Sequence, residues 1–189
     1  GSMSVDWYRK CGYPDEKNFP FAYFVETPAV NQPVNTDTSN RYFDLVFVGH
    51  DPYRKGLDIL LHALHGMGKA DWRLHIVDDQ NRRKDFADLS ARLGLSASIH
   101  FYGKLPNLQA IDLISRSDLL ILPSRWDGWG AVVNEALMCG VPVVCSDRCG
   151  AADLLDGGER GEVFPCGDVS ALRSILARRI SQGKKDAVV

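Results

Sequence analysis

Six short runs of consecutive apolar residues, separated by longer amphipathic stretches, constrain the fold of this chain more than any other feature of its sequence. Because apolar residues follow one another within each run, the runs predict strands that are buried on both faces of a sheet. A strand followed by a helix, repeated about six times, favours parallel pairing with right-handed crossovers. We therefore expect an α/β fold: a doubly wound, Rossmann-like parallel sheet of about six strands with helices on both faces. The runs occupy residues 42–48, 72–77, 98–101, 119–122, 141–145 and 162–164.

The amphipathic stretches carry apolar residues at helical spacing. One helix face is predicted from four leucines that precede Gly66, a residue expected to end the helix. Asp168 is the expected N-cap of the last helix. The leucines are Leu57, Leu60, Leu61 and Leu64, and further helices are expected around Phe86, Leu89 and Leu93, around Leu108, Ile111 and Ile114, and over residues 131–139 and 169–180.

The chain before residue 42 has a different character. Residues 1–3 are typical of the remnant of a cleaved expression tag, residues 5–11 are expected to end a short helix, and residues 19–25 are expected to be extended. Residues 26–40 hold prolines among polar residues without a hydrophobic period, which indicates a linker. We therefore expect a piece of a longer protein. Its parts would be the tag remnant, the end of a preceding domain and an interdomain linker in 1–40, one Rossmann-like nucleotide-sugar-binding domain in 41–183, and a tail in 184–189.

Charge, apolar content and cysteine spacing exclude several classes of protein. A net charge of −2 over 189 residues argues against nucleic acid as a partner. No apolar run is long enough to span a bilayer and the start shows no signal-peptide pattern, so we expect a cytoplasmic location. The five cysteines lack the paired C-x-x-C spacing of a zinc or thioredoxin-like centre, so we expect reduced, mostly packed thiols and no metal site.

The most informative segment is residues 123–144, which read P-S-R-W-D-G-W-G-A-V-V-N-E-A-L-M-C-G-V-P-V-V. It begins where a predicted strand ends, which is where ligands bind in a doubly wound sheet. Gly128 and Gly130 would let backbone amides approach a ligand, and the helix expected from about Gly130 would direct unpaired N–H groups to the same place. Such a loop suits a phosphate group. The chain has neither a G-x-G-x-x-G fingerprint nor a G-x-x-x-x-G-K-[ST] P-loop.

Two carboxylates, Asp127 and Glu135, frame this loop. Asp127 would lie at the tip and Glu135 about one turn inside the helix, so that both face one cleft at different depths. Carboxylates accept paired hydrogen bonds from vicinal hydroxyls, so one of them could read a ribose and the other a hexose. From the residues alone, Asp127 could equally be a turn or N-cap acid, and Glu135 a solvated helix residue.

The D-x7-E arrangement within this segment resembles the E-x7-E motif of the family 4 retaining glycosyltransferases, whose GT-B fold consists of two Rossmann-like domains. Residues 47–64, F-V-G-H-D-P-Y-R-K-G-L-D-I-L-L-H-A-L, are similar to the family's first strand, phosphate loop and following helix. W-R-L-H-I-V-D-D, I-H-F-Y-G and C-G-A-A-D-L-L match further blocks. The resemblance covers about residues 42–177 and implies one half of a GT-B fold.

The resemblance also implies roles for individual residues. Lys55 matches the lysine that binds the donor's diphosphate, although a lysine before a glycine could also be an ordinary surface charge. Asp127 matches the acid that contacts donor-sugar hydroxyls, and Glu135 the acid that holds the nucleotide ribose, so Lys55 and Asp127 are the expected catalytic residues. The other expected donor-binding residues are Gly49 in the phosphate loop, the amides of Gly128, Trp129, Gly130, Ala131 and Val132, and, against the base, Asp78, Tyr102, Gly103, Lys104 and Leu105.

The chain departs from the family pattern at three places. His50 stands where the family usually has an arginine; a neutral histidine offers one hydrogen bond of about 1 kcal/mol and charges only near or below about pH 6.5. Either diphosphate binding is weaker and pH-dependent or Arg54 supplies the missing charge, and we expect the latter. His50 could also be an ordinary surface histidine. Asp127 is one methylene shorter than the usual glutamate, which leaves its sugar contact open. Asp78, followed by Asp79, replaces glycine-containing sequence and disfavours a phosphosugar nearby.

The function that the resemblance implies is that of the C-terminal donor-binding domain of a retaining glycosyltransferase. The full enzyme would move a sugar from a nucleotide-diphosphate sugar to a glycan or lipid-linked acceptor, and this domain alone would transfer nothing. Its expected partners are the donor and the N-terminal acceptor domain of the same chain, which would carry any peripheral contact with a membrane. No cofactor is expected, since cations and amides can neutralise the diphosphate. Two alternatives stay open: a GT-B-related sugar-nucleotide epimerase domain and a non-catalytic nucleotide-binding module.

Overall fold

A six-stranded sheet with helices on both faces forms the body of the protein. The structure, a computed structural model, describes residues 2–19, 42–67, 71–79, 82–155 and 157–183. The strands are β1 (Phe43–Val48), β2 (Trp72–Val77), β3 (Ile99–Gly103), β4 (Leu119–Leu122), β5 (Val143–Ser146) and β6 (Gly161–Phe164). The described helices are α1 (Ser2–Lys10), α2 (Leu57–His65), α3 (Arg83–Arg92), α4 (Asn107–Ser115), α5 (Ala131–Met138) and α6 (Val169–Gln182). The predicted linker and tail lie outside the described residues, as does all of the predicted extended segment except Phe19.

The strands lie in the order β3-β2-β1-β4-β5-β6, and each strand is parallel to its neighbours. The doubly wound, Rossmann-like sheet expected from the sequence is thereby confirmed. The chain order reverses between β1 and β4, so the topological switch point lies there. The loops that leave the carboxyl ends of β1 and β4 are therefore the ones placed to hold a ligand.

Apolar side chains from alternate positions of each strand pack against opposite faces of the sheet. Leu45 and Phe47 of β1 pack on the face covered by α2, α3 and α6. Val46 packs on the face covered by α4 and α5. The predicted apolar face of α2 is confirmed, because its four leucines have no exposed surface. Burying one leucine fully stabilises a fold by roughly 1.5–3 kcal/mol, so this helix contributes strongly to the core.

Several details differ from the sequence prediction: β5 begins at Val143 rather than at residue 141, and α4 and β3 also depart from it. Leu108, expected to share an apolar face with Ile111 and Ile114, is 69% exposed. Successive residues of a helix are about 100° apart, so Leu108, six positions before Ile114, lies about 120° away from it around the helix axis. Its side chain therefore does not face the sheet. Strand β3 continues to Gly103, past the predicted end at residue 101; it carries one extra residue, Tyr102, between the pairs Ile76–Phe101 and Val77–Gly103.

Several expectations about single elements are confirmed. The short helix expected at residues 5–11 is present as α1, which lies a few residues earlier. The Asp168 carboxylate caps α6 by accepting a 2.9 Å hydrogen bond from the Ala171 amide. Within the described ranges, no helix has both the length and the apolar character needed to cross a bilayer.

At the amino-terminal edge of the sheet, away from the switch point, the Asp44 carboxylate is 4% exposed and fully engaged. Arg73 donates two hydrogen bonds to it, at 2.8 and 2.9 Å, and His75 Nε2 lies 3.0 Å from it. With Nε2 donating, His75 Nδ1 accepts from the Tyr102 hydroxyl at 3.0 Å. Burial alone would raise the pKa of Asp44, but the hydrogen bonds from His75 and Arg73 outweigh it and lower this pKa from 3.8 to about 2.

This lowered pKa predicts how stability depends on pH. The folded state binds the Asp44 proton more weakly than the unfolded state, so the stabilisation is present above about pH 4 and is lost as the pH falls toward 2. The unfolding free energies of the protein and of Asp44→Asn should therefore converge by about 2 kcal/mol between about pH 5 and 2. Urea unfolding of both proteins across that range measures the gap. A gap that stays constant would show that the network does not lower the pKa of Asp44 in the folded state.

Candidate functional site

The two loops at the switch point, loop 49–56 after β1 and loop 123–130 after β4, lie directly against each other. At their closest approach, a Cβ on Gly56 would lie 2.0 Å from the carbonyl oxygen of Pro123. Gly56 also has a φ of +78°, a conformation that favours glycine. The loops can approach this closely because residue 56 has no side chain.

Lys55 and Asp127, the two expected catalytic residues, meet at this contact. The Lys55 ammonium donates to the Asp127 carboxylate, and only 12% and 10% of the two side chains are exposed. The Lys55 stem runs along the backbone of Gly49, where a Cβ would lie 2.9 Å from Lys55 Cγ. The pair therefore joins a cation and a carboxylate at the point where a doubly wound sheet binds its ligands.

Residues 148–150, in the loop that follows β5, form hydrogen bonds with loop 123–130. The Asp127 amide donates to the Arg148 carbonyl at 2.9 Å, and the Gly150 amide donates to the Asp127 carbonyl at 3.1 Å. The Cys149 thiol donates to the Trp129 carbonyl at 3.0 Å. The buried thiols of Cys149 and Cys145 also share a hydrogen bond, which lowers the pKa of Cys149 and raises the pKa of Cys145. These contacts fix the backbone that carries Asp127.

Helix α5 begins at the place that the sequence predicts. Gly130 is its N-cap with a φ of +89°, and a Cβ there would lie 2.7 Å from Cys149 Sγ. Ala131 and Val132 form the first turn, whose N–H groups have no carbonyl within the helix to bind. Gly128 is exposed, and Trp129 Nε1 donates to Asn134 Oδ1 at 2.7 Å. The positive end of the helix therefore lies next to the Lys55–Asp127 pair.

A cleft of about 210 Å³ opens beside these loops. Glu135 lines it and accepts a 3.2 Å hydrogen bond from Asn107 Nδ2. Asn107, the first residue of α4, was missed by the sequence reasoning; its position just after a predicted strand and loop was the available signal. Among the described residues, no group of three or more His, Cys, Asp or Glu side chains is placed to hold a metal ion. The cleft is lined by Val48, Gly49, His50, Val77, Asp78, Lys104, Leu105, Asn107, Ala110 and Glu135.

Tyr102, Gly103 and Arg54, all expected at the donor site, do not line the cleft. Tyr102 and Gly103 belong to β3, and the Tyr102 hydroxyl bonds His75. Arg54 Nη1 donates to the Trp126 carbonyl at 3.0 Å. His50 lines the cleft, whereas Arg54 contacts loop 123–130. Which of the two binds a diphosphate stays a prediction.

Arg125 forms a further link, which the sequence reasoning missed, from loop 123–130 to Asp58 in α2. Arg125 Nη1 and Nη2 donate to the two carboxylate oxygens of Asp58 at 2.7 and 2.6 Å. These hydrogen bonds raise the pKa of the Arg125 guanidinium. The guanidinium also donates to the Tyr53 carbonyl at 2.6 Å and lies 4.1 Å from the centre of the Tyr53 ring. A bidentate arginine–carboxylate pair of this kind is geometrically specific.

The chain is similar in sequence to known proteins. Residues 31–188 match the family model described as Glycosyl transferases group 1. A phosphatidyl-myo-inositol mannosyltransferase of Mycobacterium leprae is 33% identical over 137 residues, which are 70% of this chain and 36% of that protein. The lipopolysaccharide glucosyltransferase WaaG of Escherichia coli (strain K12) is 30% identical over 122 residues, 64% of this chain and 32% of its own length.

One solved structure shows the shared fold over nearly the whole chain. The crystal structure of Anabaena Alr3699/HepE in complex with UDP has a TM-score of 0.77, covering 96% of this chain and 53% of that one. At 22% identity this likeness concerns the fold. The chain matches about a third of the length of the two curated relatives.

Proposed function

The chain belongs to the Glycosyl transferases group 1 family, and from that membership we propose that it is the C-terminal, donor-binding domain of a retaining glycosyltransferase. In this proposal the domain holds a nucleotide-diphosphate sugar at the switch point between β1 and β4. The curated relatives named as a mannosyltransferase and a glucosyltransferase favour transfer of a hexose. Their names also favour a role in the synthesis of a polysaccharide or glycolipid.

The observation that carries the proposal is the contact between Lys55 and Asp127. A nucleotide sugar has a diphosphate directly attached to a ring that bears hydroxyl groups. Its recognition therefore needs a cation and a hydrogen-bond acceptor side by side, which is what the two residues provide. An isolated lysine or aspartate would suit many ligands, whereas this pair beside a helix N-terminus suits a sugar diphosphate.

The surrounding residues suggest how the donor would lie. The diphosphate would contact Lys55 and the amides of residues 128–132, with His50 or Arg54 as the second cation. The ribose would contact Glu135, which lines the cleft and accepts a hydrogen bond from Asn107. The base would lie against Asp78, Lys104 and Leu105, at the ends of β2 and β3. The sugar would then reach Asp127.

These residues would act on the charge that develops during transfer. The bond between the anomeric carbon and the diphosphate oxygen breaks with oxocarbenium character, and its electron pair stays on the diphosphate. The acceptor hydroxyl forms the new bond to the anomeric carbon, and its proton passes to an oxygen of the departing diphosphate. Lys55 and the N–H groups at the start of α5 would stabilise the leaving diphosphate as fixed charges and dipoles, without proton transfer. We propose no metal or other cofactor for this step.

The rest of the full protein enters as part of the proposal. The acceptor would bind a second, N-terminal domain of the same chain, joined through residues 1–40 to the Rossmann-like domain of residues 41–183, with residues 184–189 as a tail. We propose a cytoplasmic enzyme whose only membrane contact, if it has one, is peripheral and made by that second domain. We propose no nucleic-acid partner, in keeping with the net charge of −2.

Binding of nucleoside diphosphates to the chain itself tests the proposal. We expect UDP, GDP or ADP to bind at millimolar concentration or tighter and to raise the melting temperature, because a ligand of the native state stabilises it. Titration calorimetry and thermal denaturation measure the two effects, with the matching nucleosides as controls for binding through the base alone. If none of the three diphosphates gives heat or a thermal shift at millimolar concentration, the proposal is wrong.

A further inference from the structure

Three contacts made by side chains join loops 49–56 and 123–130. They involve three consecutive residues of the first loop and three consecutive residues of the second. The three contacts are Tyr53 with Arg125, Arg54 with Trp126, and Lys55 with Asp127.

Arg125 makes four hydrogen bonds that join loop 123–130 to loop 49–56 and to α2. Its backbone amide donates to the Arg54 carbonyl at 2.8 Å. Its guanidinium binds the Tyr53 carbonyl and, through both terminal nitrogens, the Asp58 carboxylate in the first turn of α2. One residue therefore ties loop 123–130 both to the backbone of loop 49–56 and to the helix that follows that loop.

The hydrogen bonds of Arg125 lie close to the Lys55–Asp127 contact along both loops. Lys55 is two residues beyond Tyr53, and Asp127 is two residues beyond Arg125. A displacement of one loop against the other by about 1 Å would stretch a direct contact beyond hydrogen-bond range. Arg125 touches neither group of the pair, so it would act on them only through the backbone.

We propose that Arg125 is a positioning residue that holds the two loops against each other and thereby sets the Lys55–Asp127 contact. The effect of Arg125 on ligand binding rests on the function proposed above. The effect of Arg125 on the Lys55–Asp127 contact does not depend on that function. Two experiments separate these consequences.

The first experiment measures ligand binding by NMR titration of the labelled chain with UDP, GDP, ADP and their nucleosides. In Arg125→Gln, affinity for the diphosphate that binds best should fall about tenfold, and affinity for its nucleoside should change less than about twofold, since the cleft wall does not include Arg125. Arg125→Lys should not restore binding, because an ammonium cannot make the planar, bidentate contact with Asp58.

The matched control is Arg116→Gln, which removes an arginine from an exposed pair with Asp112 on α4. Equal losses for diphosphate and nucleoside, or full rescue by lysine, would overturn the proposal.

The second experiment needs no ligand. A double-mutant cycle with Lys55→Met and Asp127→Asn, followed by urea unfolding, measures how strongly the two side chains are coupled. We expect that coupling to fall by at least half when the cycle is repeated in Arg125→Gln, or in Asp58→Asn if the former does not fold. Unchanged coupling would overturn the positioning role. If the unsubstituted chain binds no diphosphate, the proposed function fails while this cycle still decides the role of Arg125.

Discussion

Lys55→Met should lower the affinity of the protein for a nucleoside diphosphate at least about tenfold, whereas Asp127→Asn should raise it about threefold. The two residues form one ion pair, yet only Lys55 attracts a phosphate. At an effective dielectric of 20, unit charges about 4 Å apart interact by about 4 kcal/mol before desolvation is counted. A diphosphate must compete with Asp127 for the ammonium and also meets the repulsion of the carboxylate. Replacing the carboxylate by an amide removes both effects.

Calorimetric titration of the two variants measures these opposite changes. Asp112→Asn, which alters an exposed carboxylate on α4, is the control for Asp127→Asn. A nucleotide sugar should behave differently from the bare diphosphate, since its hydroxyls would lose the Asp127 acceptor and the gain in affinity should vanish. If Asp127→Asn weakens the binding of the bare diphosphate as much as Lys55→Met does, the division of roles between cation and carboxylate is wrong.

Gly56→Ala should lower the free energy of unfolding by about 3 kcal/mol or more. Two independent costs combine at this position. The φ of +78° disfavours any residue with a side chain, and the added Cβ would lie 2.0 Å from the Pro123 carbonyl oxygen, which belongs to backbone and cannot rotate away. The loops would have to separate, so the Lys55–Asp127 contact should be lost together with stability.

Gly167→Ala separates the two costs. Gly167 has a φ of +82°, close to that of Gly56, and no atom lies within 4 Å of the position of its Cβ. We expect this substitution to cost only about 1 kcal/mol, the price of the backbone conformation alone. Urea unfolding of both variants gives the comparison. Similar losses in the two would show that the approach of the loops is not tight.

The strands could be predicted from the sequence because burial on both faces of a parallel sheet requires continuous apolar runs. Strand β4 occupies the predicted residues 119–122, and β2 the predicted residues 72–77. Helix starts were also predictable where a local rule applies, as at Gly130 and Asp168. These features depend on neighbours within a few positions of the chain, which a sequence displays directly.

Contacts between distant segments could not be predicted in the same way. The Lys55–Asp127 pair joins residues 72 positions apart. Only the family resemblance predicted that both belong to one site. The bidentate contact of Arg125 with Asp58 follows from which strands are neighbours, and no local pattern marks it. His50 and Arg54 are four positions apart in one loop, so the fold of that loop decides which of them meets the cleft.

The strand order has a consequence for how related chains can differ in length. Lys55 and Asp127 are brought together because β1 and β4 are adjacent, and the 72 positions between them are a result of the connections that the chain makes in between. An insertion near Gly94, which has open space around it before β3, would change that number and leave the contact intact. Related chains can therefore differ in the length of the segments between β1 and β4. The contact between the residues that follow these two strands would be kept.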